Sequence, residues 1–139
     1  MDHAEARNRF AASRSAHLAT ADATGRPHVV TICFAVEHDT VFSAVDAKPK
    51  STTRLRRLDN IAANPAVAVL VDHYDDVHWE RLWWARADGS ARVLDPAGRE
   101  DEFARELLGA RYPQYRETPP AGPVIAIDVE RWSGWAASG

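Results

Sequence analysis

Apolar positions along the chain follow two rhythms. Residues 15 to 21, 28 to 37 and 40 to 45 are near-continuous runs carrying many β-branched side chains, interrupted by "ATGRP" and by "EHD". Connections this short predict three antiparallel neighbours in a meander and exclude a βαβ unit. A fourth strand is predicted over "AVAVLVDHY" (66 to 74). "RLWWARA" and "SARVLD", separated by "DG", predict a hairpin, and "PVIAIDVERW" alternates Val124, Ala126, Asp128 and Glu130 against Ile125, Ile127, Val129 and Arg131.

The helical rhythm appears three times. Residues 4 to 14 place alanines and Phe10 on one side and Arg7, Arg9 and Arg14 outward. Residues 51 to 63 space Leu55, Leu58, Ile61 and Ala62 along one face before Asn64 and Pro65 stop the helix. After Pro96, "PAGREDEFARELLGARY" gathers Phe103, Leu107 and Leu108. With no repeat, low-complexity segment or linker, residues 1 to 139 are expected to form one domain. The expected fold is mainly β (α+β): a six- to seven-stranded antiparallel barrel with about three short helices, its closure removing the sheet edges.

Composition narrows the function classes. At 139 residues with 45% apolar content, the chain can bury one core without covalent staples. A net charge of -3 and a pI near 6.0 argue against a general nucleic-acid binder. Cys33 is the only cysteine, expected to be a small buried hydrophobe; any zinc site would need histidines and carboxylates. No apolar run approaches a membrane span, and "MDHAEARNRF" lacks the apolar core of a signal peptide, so a cytoplasmic protein without membrane contact is expected.

Against the acidic average, "AKPKSTTRLRRL" (47 to 58) holds five basic side chains and no acid. Pro49 cannot sit inside a helix and Ser51 is a favoured N-cap, which puts the helix start at Ser51 or Thr52. The unpaired N–H groups of a first turn and the positive end of the dipole favour negative charge, yet cations occupy these positions. A bound anion would reverse that penalty, held by the N–H groups, the Ser51 and Thr52 hydroxyls and the Lys50 ammonium. Arg54 and Arg57 share a face as supporting cations, and Arg56 points elsewhere. A solvated helix face and a nucleic-acid contact are the competing readings; the second lacks another basic cluster and interleaved aromatics.

"VDHYDDVHWERLWW" (71 to 84) is dense in histidine, acid and tryptophan, but its spacing matches no zinc signature, and no metal site is assigned. Adjacent Trp83 and Trp84 must face opposite sides of a strand, one towards a core and the other towards an interface or a planar ligand. No catalytic triad arrangement, GxGxxG loop or P-loop is present. Any chemistry is therefore expected from a cofactor.

The order of strand meander, "KPKSTTRLRRLDNIAANP", strand and "RLWWARADGSARVLD" resembles the pyridoxamine 5'-phosphate oxidase-like split β-barrel proteins, over about residues 4 to 135. Within them, "VDHYDDVHWERLWWARADG" together with "LRRLDNIAANP" looks most like a subgroup of actinobacterial flavin/deazaflavin oxidoreductases that use coenzyme F420. The resemblance implies a homodimer with a cofactor in each groove between subunits. Its phosphate would lie on Lys50, Ser51, Thr52 and Arg57. Its ring would lie against Val30, Thr31, Ile32, Phe42 and Ser43, approached by Trp84. The oxidase branch carries an Arg and a Lys on the second strand that help to hold FMN, where this chain has Val30 and Ala35, and a compact Ser-Arg-Lys before the helix, replaced here by "KPKSTTRLRR".

The implied function is an F420-dependent reductase passing a hydride to a small organic substrate. FMN is the alternative cofactor, and a non-catalytic cofactor carrier is the alternative class. No catalytic residue is assigned; Tyr74 and His78 are candidate proton donors by chemistry and rough location only.

Overall fold

The computed structural model describes residues 1–45 and 52–138, with the backbone alone for residues 52–55. Lys48, Lys50 and Ser51 therefore lie outside the described residues. Among the described residues seven strands form one antiparallel sheet: β1 (Ala16–Ala21), β2 (Pro27–Ile32), β3 (Ala35–Glu37), β4 (Thr40–Ala44), β5 (Ala66–His73), β6 (Trp83–Val93) and β7 (Val124–Ala136). Among the described residues four α-helices accompany them: α1 (His3–Ala12), α2 (Thr52–Ala63), α3 (Arg99–Arg111) and α4 (Pro113–Glu117).

Strand order is β2-β1-β5-β6-β7-β4-β3, so β2 and β3 are the two edges. Only Cys33 and Phe34 separate them in sequence, and three Cα steps reach at most about 11 Å. The sheet must therefore curl until its edges nearly meet, which makes a barrel split at Cys33–Phe34. The sequence predicts one strand over 28 to 37; the structure breaks it there because each half pairs with a different neighbour, β2 with β1 and β3 with β4. Tyr112 holds the split: its hydroxyl accepts from the Phe34 N–H at 3.1 Å and lies 2.9 Å from the Phe34 and Arg14 carbonyl oxygens, to either of which it can donate.

The predicted hairpin at Asp88–Gly89 is not formed. β6 runs straight through both residues and pairs with β5 on one side and β7 on the other, with a register shift at Asp88/Gly89. Glu130 and Arg131 crowd opposite Asp88, a β-bulge. Glycine is needed there for close approach, since a Cβ on Gly89 would lie 2.2 Å from the Asp128 carbonyl oxygen. "DG" thus marks a bend in a long strand where the sequence rule reads a turn.

β7 is apolar on both sides because it divides two cores. Ile125 and Ile127 face the barrel interior with Leu18, Val69, Ala85 and Ala87, and Val124 and Ala126 face α3 with Phe42, Ala104 and Leu108. α1 packs at the barrel through fully buried Phe10, whose ring meets Phe34 at 5.0 Å and Trp132 at 5.1 Å. α2 buries Arg57, Asn60 and Ile61. α4, which the sequence does not predict, follows α3 after Tyr112 and begins with Pro113, the residue type that tolerates a first helical turn.

Candidate functional site

Four of the residues proposed for the cofactor come together. Thr31 and Ile32 at the end of β2, Ser43 on β4 and Arg57 on α2 line one cavity of about 180 Å³, with Cys33, Ala44 and Tyr115. The sheet curl accounts for this, since β2 and β4 are neighbours only across the split. The Ser43 hydroxyl donates to the Cys33 carbonyl oxygen at 2.8 Å and so ties β4 to the wall of the cavity.

Arg57 supplies the charge. Its side chain is 8% exposed, whereas Arg56 is exposed, as the helical spacing predicts. α2 is seated by Ile61 in the barrel core and by Asn60, whose side-chain amide donates to the Thr20 hydroxyl on β1 at 3.0 Å. The helix is described from Thr52, consistent with the predicted start at Ser51 or Thr52, and Thr52 and Arg54 belong to this first described turn.

The other proposed residues whose side chains are described are placed elsewhere. Val30 packs against the barrel core. Phe42 is 3% exposed in the cluster beneath α3, with its ring 6.2 Å from that of Phe103. Trp84 stands on the outer face of β6, paired with Trp135 of β7 and capped by the Arg86 guanidinium at 5.4 Å. Tyr74 and His78 lie in the β5–β6 connection, where the Tyr74 hydroxyl meets Asp76 and His78 meets Glu80; neither lines the cavity.

One acid of that connection serves turn geometry. Asp75 accepts the N–H groups of Val77 and His78, and these bonds, that of His78 first, hold its carboxyl below the usual range. Among the described residues no group of three or more His, Cys, Asp or Glu side chains is placed to hold a metal ion.

Sequence reasoning missed Cys33 and Tyr115 as lining residues. Cys33, expected to be buried, is only partly so, because it occupies the break between β2 and β3. Tyr115 depends on α4, for which "YPQY" was the available signal. A larger cleft of about 650 Å³ lies between the β1–β2 turn and α2, lined by Asp22, Arg26, His28, Arg56 and Asp59. Its Asp22 is engaged in the turn, accepting from Thr24 and Arg26, bonds that lower its pKa.

The donor set of the 180 Å³ cavity fits part of a phosphorylated cofactor: a buried guanidinium and the Thr31 hydroxyl beside the apolar walls of Ile32 and Ala44. Sites for whole small molecules span about 300 to 1,000 Å³, so a flavin-sized ligand would extend beyond these residues.

A family model described as pyridoxamine 5'-phosphate oxidase matches residues 3–136. No curated protein matches the sequence. Among solved structures, an FAD-binding protein of Mesorhizobium loti is 20% identical with a TM-score of 0.74, covering 96% of this chain and 94% of that one. A conserved hypothetical protein of Mycobacterium tuberculosis is 20% identical with a TM-score of 0.75 over 99% and 86%. The heme storage protein HutZ of Vibrio cholerae is 17% identical with a TM-score of 0.72 over 98% and 95%. At these identities the structures show a shared fold.

Proposed function

The chain belongs to the pyridoxamine 5'-phosphate oxidase family, and from that premise we propose that it is an oxidoreductase using coenzyme F420 to pass a hydride to a small unsaturated organic molecule. The observation that carries this reading is the convergence of Thr31, Ile32, Ser43 and the buried Arg57 on one cavity. Arg57 would bind the anionic part of the cofactor, joined by Lys50, Ser51, Thr52 and Arg54 at the start of α2. Thr31 and Ile32 would flank the adjoining atoms. The bound deazaflavin supplies the hydride chemistry; the chain positions it and keeps water from the reacting face.

Val30 and Ala35 favour the deazaflavin over FMN. Val30 packs against the barrel core and Ala35 is 3% exposed beneath α3, so neither place offers the cation that the oxidase branch uses on FMN. FMN is the second reading, supported by the shared fold with proteins described as FAD-binding. The non-catalytic carrier reading draws support from the fold shared with a heme storage protein.

A homodimer completes the reading. Strand register puts Val29, Leu70, Trp84 and Trp135 on one outward face, and Val29 is 61% and Trp135 48% exposed. A second copy covering this face would bring Trp84 to an interface and supply the missing wall of a flavin-sized groove.

Side-by-side titration with F420 and FMN tests the proposal. Saturable quenching or a shift of F420 fluorescence, with weaker FMN binding and oxidation of reduced F420 by quinones or enones, is expected. Preference for FMN would overturn the deazaflavin reading; tight F420 binding without turnover would make the protein a carrier.

A further inference from the structure

Tyr115 lines two cavities. One is the 180 Å³ cavity with Thr31, Ser43 and Arg57; the other is a cleft of about 590 Å³ between α3 and α4. Among the described residues, Tyr115 is thus the one shared by a cavity suited to part of a cofactor and a cleft large enough for a whole small molecule.

The cleft has its own chemistry. Pro96, Pro119 and the Tyr115 ring offer apolar surface, and Asp101, Glu102 and Glu106 place three carboxylates along the α3 side. Arg105 is committed inward: its Nε donates to Asp101 Oδ2 at 2.8 Å, and its two other nitrogens donate to the Pro120 and Gly122 carbonyl oxygens at 2.7 Å. Asp101 is 4% exposed, and its Oδ1 is buried with no hydrogen-bond partner among the described residues. A buried carboxylate oxygen without a donor is destabilising until an N–H or O–H reaches it. With Asp101 and Arg105 offsetting each other, Glu102 and Glu106 outnumber Arg116 in the cleft.

We propose that the α3–α4 cleft binds an organic amine in its ammonium form, its apolar body against Pro96, Pro119 and Tyr115 and its N–H donors towards the α3 carboxylates. Tyr115 separates this ligand from the neighbouring chamber and sets how far it reaches inward. That the amine is the reaction's substrate rests on the cofactor reading above; the binding site and its ligand class do not.

The test is a titration of the ¹⁵N-labelled full chain with benzylamine, benzyl alcohol and benzoate, followed by amide chemical shifts. Benzylamine should give saturable shifts concentrated in residues 96 to 106 and 115 to 120, weaker for the alcohol and absent for benzoate. Glu102→Gln with Glu106→Gln should weaken benzylamine binding about two- to fivefold, the range for exposed charge pairs. Tyr115→Ala should extend the shifts to Thr31, Cys33 and Ser43, and Tyr115→Phe should leave them confined. Equal responses to benzylamine and benzoate, or shifts scattered over other surface acids, would overturn the proposal, as would shifts at Cys33 that ignore Tyr115→Ala. A parallel FMN and F420 titration reports on Thr31, Ser43 and Arg57, so failure of the cofactor reading is seen separately.

Discussion

The Asn60 side-chain amide donates to the Thr20 hydroxyl at 3.0 Å, and both residues are buried, at 4% and 3% exposure. This bond fastens α2, and with it Arg57, to β1. Because the pair is shielded from water, removing one partner strands the other. Thr20→Val or Asn60→Leu should each lower stability by about 1 to 3 kcal/mol. The double variant should cost less than the sum. Urea unfolding of the four proteins checks this; strict additivity would mean that the bond does not couple the two elements.

At the start of the same helix, Lys50→Ala combined with Ser51→Ala should weaken cofactor binding by about 2 to 4 kcal/mol, since charge-assisted hydrogen bonds contribute about 1.5 to 3 each. The measurement is the dissociation constant of the folded double variant. Unchanged affinity would remove the phosphate assignment.

Tyr112→Phe takes away the hydroxyl that meets Phe34 and Arg14 at the barrel split. A loss of about 1 to 3 kcal/mol is expected, with faster hydrogen exchange at the Phe34 amide than at β5 amides. Exchange that accelerates equally everywhere would show only global destabilisation.

Arg92 joins β6 to α3, donating to both Glu100 oxygens at 2.6 and 2.8 Å and to Asp128 at 2.8 and 3.1 Å. Hydrogen bonding to Arg92 is the largest cause that lowers the Glu100 and Asp128 carboxyls from their ordinary values of 4.5 and 3.8. A carboxyl depressed in the folded state adds stability above its ordinary pKa and loses it as the pH falls through the folded value. Arg92→Gln should therefore cost about 1 kcal/mol or less at pH 7, the groups being half exposed. The gap from the parent should narrow on acidification below about pH 4. Melting curves from pH 7 to 3 decide it, and a gap that widens on acidification would contradict the assignment.

Local rules reached far because most elements here are locally specified. Apolar runs with short connections gave antiparallel strands, Asn64–Pro65 ended α2, and the Ser51 or Thr52 start agrees with a helix observed from Thr52. They misread Asp88–Gly89, since a bulge and a hairpin turn ask for the same residues and differ only in what lies alongside: β5 and β7 flank β6 continuously. Gly89 is dictated by the Asp128 carbonyl of a strand some 40 positions away, which no local window contains.

The sequence by itself determined most element types and the separation of Arg57 from an outward Arg56, because each follows from spacing within one helix or strand, while the family was legible as a resemblance that the family model bears out. Only the tertiary structure decided that Thr31, Ser43, Arg57, Cys33 and Tyr115 share a cavity while Phe42 turns to α3. The reason is the curl of the sheet: it brings the two edge strands together at Cys33–Phe34, and contacts across that split are set by the closure of all seven strands.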